Sequence, residues 1–127
     1  MKKIDNFRET KYYVWKETFA ITRTKKPLLE SFAIIQDRNE ITSAIDQSKV
    51  SEKELYKAEK DWKLITFDVT LSFKSIGFLS RIFRALANEE VSIFVISAYS
   101  TDHILVKQKD LDRTIKKLKS IEFSIKE

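Results

Sequence analysis

From Ile65 onward the spacing of apolar residues switches between a period of two and a period near 3.6, and the order of the switches leaves few folds open. Ile65, Phe67, Val69, Leu71 and Phe73 alternate with Thr66, Asp68, Thr70 and Ser72, the pattern of a strand with one buried and one wetter face. After the connector Lys74-Ser75-Ile76-Gly77, residues Phe78, Leu79, Ile82, Phe83 and Leu86 recur at helical spacing, with Ser80, Arg81, Arg84 and Asn88 on the other side. Val91–Ile96 is a β-branched apolar run suited to a central strand. Tyr99-Ser100-Thr101-Asp102 turns it, and His103–Lys107 returns as its hairpin partner. Asp110 stands where it would cap a second helix bearing Leu111, Ile115 and Leu118 on one face. Glu122–Ile125 closes the unit as a short edge strand.

The order βαββαβ is that of the ferredoxin-like fold, and it places the chain in the α+β class. The first half is less regular. Tyr12–Trp15 and Phe19–Thr22 read as one long or broken strand, and Pro27 marks a turn or a single helical turn. Ser31–Gln36 and Glu40–Ile45 form a hairpin across Asp37-Arg38-Asn39. Ser51-Glu52-Lys53-Glu54 has the form of a capping box and predicts a short polar helix through about Lys60. Residues 46–61 then connect two parts, 1–61 and 62–127.

Composition excludes several chemistries. With 0 Cys and 1 His among 127 residues, thiol nucleophiles, thiolate metal sites and most histidine sites are ruled out. With 1 Gly, no glycine-rich phosphate loop can exist. No catalytic residue, metal site or cofactor is expected, and the chain reads as a binding module rather than an enzyme. Its start carries no apolar signal core and no apolar run is long enough to span a bilayer, so a cytoplasmic protein without membrane partners is expected. The net charge of +5 is scattered along the sequence among 19 acids, the pattern of a solvated surface.

Connectivity alone gathers a candidate site. The first strand of the βαββαβ unit ends before Ser75-Ile76-Gly77, the helix runs back, and the next strand returns to the same end. The Ser75–Phe78 loop (Ser75, Ile76, Gly77, Phe78) and the segment Ser97, Ala98, Ser100, Thr101 and Asp102 are therefore neighbours. Amides at the helix start attract a carboxylate, and Gly77 lets a ligand approach the backbone. Asp102 with the nearby hydroxyls suits an amino or guanidinium group. A free amino acid carries both poles.

Two stretches carry a family resemblance: Gly77-Phe78-Leu79 opening the helix, and Val91-Ser92-Ile93-Phe94-Val95-Ile96-Ser97-Ala98-Tyr99-Ser100-Thr101-Asp102-His103-Ile104-Leu105-Val106. In these the chain resembles the ACT domain, a regulatory amino-acid-binding module of aspartate kinases and many biosynthetic enzymes. More narrowly it is similar to small stand-alone tandem-ACT proteins related to the ACT regions of cytosolic arginine sensors. The resemblance implies an ACT domain over 62–127, a degenerate ACT-like half before it, a small-molecule ligand (an amino acid) and a homodimer. It is strong only after Trp62. Ala98 stands where the family has Thr, His103 replaces an aromatic, and Glu89-Glu90 replaces a small-residue-plus-Gly turn, which leaves Asn88 to take the left-handed position.

Two other classes share these features. A module that dimerises or docks on a partner enzyme without ligand needs nothing more than an open sheet edge. An RNA-binding ferredoxin-like domain has the same strand order but displays a Gly-aromatic motif on its third strand. Here that strand is His103–Gln108, with no aromatic and no glycine, so no specific nucleic acid is expected.

Overall fold

The computed structural model describes residues 10–51, 53, 55–69 and 77–126. The chain divides into two compact units, one made of residues 16–63 and one made of the N-terminal residues through Trp15 together with Leu64 onward. The boundary expected between 61 and 62 thus falls between Lys63 and Leu64, and Thr10–Trp15 joins the C-terminal unit.

The unit of residues 16–63 is built from strands. β2 (Phe19–Thr24), β3 (Ala33–Gln36), β4 (Ile41–Asp46) and the first part of β5 (Leu55–Phe67) run in the order β3–β4–β2–β5, all pairs antiparallel. The expected hairpin forms: Asp37 Oδ1 accepts the backbone N–H groups of Asn39 and Glu40 at 2.8 and 2.9 Å, fixing the turn. The helix predicted over 51–60 does not form. Apart from a short helical turn at Lys53, its described part is strand, because β5 satisfies its backbone on β2, with Thr22 opposite Ala58 and Arg23 opposite Lys57. One residue of β2 (Ala20, between Phe19 and Ile21) faces two of β5 (Lys60 and Asp61, between Glu59 and Trp62), so β5 bulges there. Asp61 accommodates the bulge at φ 68° and exchanges two hydrogen bonds with the Gln47 side chain. The buried Lys63 ammonium donates to the carbonyls of Lys16 and Glu17 at 2.9 and 2.8 Å.

The C-terminal unit carries the expected βαββαβ order: the end of β5, α1 (Phe78–Asn88), β6 (Ile93–Ser97), β7 (Asp102–Lys107), α2 (Leu111–Ser120) and β8 (Ser124–Ile125). Residues 70–73, expected to extend the first strand, lie outside the described residues. β1 (Lys11–Val14) adds a strand that the sequence pattern did not place there. It pairs antiparallel with β5 and parallel with β8, giving the order β8–β1–β5–β7–β6.

The core lies between this sheet and the two helices, with Tyr12, Ile65, Phe67, Ile104 and Val106 facing Ile82, Leu86 and Leu118. Phe67 meets Phe78 and Phe123 edge-on at 5.6 and 6.0 Å, and Phe78 stacks on Phe123 at 6.1 Å. Such pairs add about 0.5–1.5 kcal/mol each beyond their buried area. Phe83, expected on the apolar face of α1, is 40% exposed because Phe78, Ile82, Ala85 and Leu86 define the buried stripe and Phe83 falls off it.

Both helices stop in the same way. After α1 the N–H of Val91 reaches the carbonyl of Leu86 and that of Glu90 reaches Ala87. After α2 Phe123 reaches Leu118 and Glu122 reaches Lys119. The left-handed residues are Glu90 (φ 57°) and Glu122 (φ 72°), so Glu90 rather than Asn88 takes the position after α1. Asp110 does not cap α2 through its side chain, which instead holds Arg113 at 2.6 Å.

Candidate functional site

The end of β5 touches both the start of β7 and the start of α1. Thr66, one residue before the end of β5, bonds to His103, the second residue of β7, at 2.9 Å. Phe78, the first residue of α1, packs on Phe67, the last residue of β5. In the hairpin, Ser97 lies opposite Asp102, and the Ala98 N–H donates to the Thr101 carbonyl at 2.9 Å.

The expected ligand residues are distributed unevenly around this end. Ser75 and Ile76 lie outside the described residues. Gly77 is the residue before α1, at φ 89° and ψ −1°, a conformation open to glycine and costly for residues with a Cβ. The Phe78 side chain is buried in the aromatic cluster, so what it offers a ligand is its backbone at the helix start. Ser97 and Ala98 are exposed, and Ser100 and Thr101 are half-buried.

Asp102 differs most from expectation. An exposed turn carboxylate was anticipated, but Asp102 begins β7, is 8% exposed and shares its side of the strand with the buried Ile104 and Val106. Among the described residues its side chain makes no hydrogen bond or ion pair. Asp68 holds Lys126 at 2.5 Å.

The sequence did not reveal the polar relay on the other side of the sheet. The Trp15 indole N–H donates to Thr66 Oγ1 at 2.8 Å, Thr66 Oγ1 meets His103 Nδ1, and His103 Nε2 lies 3.2 Å from Thr101 Oγ1. Burial lowers the His103 imidazolium from its usual 6.5, with the neighbouring Asp102 charge opposing. The readable signal was the alternation itself, which sets Thr66 and His103 off the core-facing positions on β5 and β7. Among the described residues, no group of three or more His, Cys, Asp or Glu is placed to hold a metal ion. No helix among them is long and apolar enough to cross a membrane.

These elements define an α+β, ferredoxin-like module. An ACT-domain family profile matches residues 57–120, just over half of the chain, and the protein belongs to the ACT-domain family. Among curated proteins, none matches it in sequence. Solved structures of the same fold include a protein from Agobacterium tumefaciens (TM-score 0.81, 19% identity, 93% of this chain and 92% of that one). A second is a Vibrio cholerae protein of unknown function described as a possible transport protein (TM-score 0.73, 20% identity, 84% and 85%). A third is the regulatory subunit of aspartate kinase from Thermus thermophilus in ligand-free form (TM-score 0.64, 10% identity, 87% and 95%).

Proposed function

We propose that this ACT-domain protein is a regulatory sensor that binds a small metabolite, a free amino acid, at the end of the sheet formed by the start of α1 and the β6–β7 hairpin. The reading is supported chiefly by Asp102, an acid 8% exposed at the start of β7, together with an α1 start whose preceding residue is the chain's single glycine. A carboxylate at the α1 amides and an amino or guanidinium group at Asp102, with Ser97, Ser100 and Thr101 nearby, would satisfy both poles. Binding would shift the population between packing states and so alter self-association or docking on a partner enzyme. In this reading the strands of residues 16–63 are the degenerate ACT-like half, which has no α-helix among its described residues.

A thermal-shift screen of the free amino acids tests this. Basic amino acids are expected to raise the melting temperature while most others leave it unchanged. At ~100 times the dissociation constant a ligand adds about 2.7 kcal/mol. Asp102→Asn, which keeps the shape and removes the charge, should abolish the response. A flat screen would favour the second reading, a module that dimerises or docks without ligand, which is supported by the exposed Ile34 and Ile35 on the edge strand β3.

A further inference from the structure

The two helices hold the whole of the protein's net charge. α1 and α2 carry Arg81, Arg84, Arg113, Lys116, Lys117 and Lys119 against one acid, Asp112, an excess of five that equals the chain's net +5. The remaining 18 basic and 18 acidic residues cancel. The excess lies on the bodies of the two helices, while the acids Glu89, Glu90, Asp110 and Glu122 stand at their ends.

Between the helices runs a half-open groove of about 480 Å³, bounded by Ser80, Arg81, Arg84 and Asn88 of α1 and by Lys117 of α2. Its three cations differ in how they are held. Arg81 is anchored, with Nη2 donating to the Ile121 carbonyl at 3.0 Å and its guanidinium 5.9 Å from the centre of the Phe123 ring. That contact uses one of five N–H donors. Lys117 makes a loose ion pair with Glu89 at 3.8 Å. Arg84 is exposed and makes no hydrogen bond or ion pair among the described residues. α1 itself contains no acid that could neutralise its two arginines.

We infer that this groove is a binding site for a small polyvalent oxyanion, a phosphate-bearing metabolite, whose charged walls are residues outside the proposed amino-acid site although Gly77 borders both. Guanidinium groups match the paired oxygens of a phosphate, Ser80 and Asn88 add neutral donors, and a pre-anchored Arg81 loses little freedom on binding. Among the described residues Glu89 is the acid paired with a groove cation, and it competes with the ligand for Lys117.

Titration of the ¹⁵N-labelled full chain with inorganic pyrophosphate at constant ionic strength tests the site. Saturable shifts are expected at the amides around Ser80–Asn88 and Lys117–Ile121, with none from matched chloride. The Arg84→Gln/Lys117→Gln double variant should bind at least ~10-fold more weakly, Glu89→Gln about 2-fold more tightly, and Asp102→Asn as well as wild type, which separates this site from the amino-acid pocket. Shifts that never saturate, or a double variant that binds unchanged, would overturn the assignment. So would displacement of pyrophosphate by an RNA duplex or by anionic phosphatidylserine vesicles that bind more tightly, since the face would then be a macromolecular or lipid surface.

Discussion

Thr66 Oγ1 lies 2.9 Å from His103 Nδ1 while accepting the Trp15 indole N–H at 2.8 Å. A hydroxyl already engaged as an acceptor meets a second polar atom best by donating its own proton. That makes Nδ1 the acceptor and leaves the proton of the neutral ring on Nε2, facing Thr101 Oγ1 at 3.2 Å. A proton added to Nδ1 would turn this bond around and strand the Thr66 hydroxyl proton.

The protein should therefore lose stability as the solution is acidified through the histidine range. The folded-state pKa of His103 is depressed by burial, so the unfolded chain binds its proton first. This contribution is fully present above about 6.5 and is lost as pH falls from there toward the folded value. Melting temperature should be flat above that point and decline below it, and His103→Gln should remove the part of the decline that carboxylates do not explain. His103 is the chain's single histidine, so its ¹⁵N resonances read the titration without overlap. A folded-state pKa above 6.5 would contradict the relay.

Glu90 and Glu122 should each be improved by glycine. Both occupy the left-handed position that ends a helix, and a residue with a Cβ there costs about 1–2 kcal/mol. Glycine returns part of that in unfolded-state entropy, so Glu90→Gly and Glu122→Gly should each raise stability by about 0.5–1 kcal/mol in urea melts. The two sites lie at different helix ends, and their effects should add. A loss in either variant would mean that the carboxylate has a larger role than the backbone strain.

Gly77→Val bears on the same principle in the opposite direction. At φ 89° a β-branched residue is strained, and Gly77→Val should cost about 1–3 kcal/mol. Gly77→Asn, which tolerates this region better, should cost less. Equal melting temperatures for valine and asparagine variants would show that the backbone relaxes on substitution. Ligand binding is then compared in the asparagine variant, where the fold is least disturbed.

The difference between what could and could not be read follows from where each element's partners lie. α1, β6, β7 and α2 are local: their apolar period, turn and hairpin partner lie within a few residues, so the order and type of these four elements were legible. β5 was not, because its first part has a polar, capping-box sequence and becomes strand only through pairing with β2, more than thirty residues away. The same holds for β1, whose insertion between β5 and β8 depends on two partners at the far end of the chain. At the candidate site the burial of Asp102 was not legible, since a turn assignment carries no information on which side of a strand a residue finally faces.

The strand β3 predicts self-association and where it occurs. Among the described residues β3 pairs with β4 alone, leaving the backbone groups on its other edge without a sheet neighbour. The stretch Ser31–Gln36 contains no charge and no proline, the usual protections of such an edge. Ile34 and Ile35, 39% and 45% exposed, point to opposite sides of the strand, so a flat surface would cover only one of them while an added strand covers both. A second copy pairing antiparallel across a two-fold axis supplies that strand with the same sequence. Light scattering at tens of micromolar should return twice the 15.0 kDa chain mass. Ile35→Lys places a charge on the edge at a position whose exposure keeps the cost to the fold within about 0.5 kcal/mol, and it should return the monomer mass with an unchanged melt at low concentration. A wild-type protein that stays monomeric would sink the prediction, and a dimer indifferent to Ile35→Lys would show that association uses another surface.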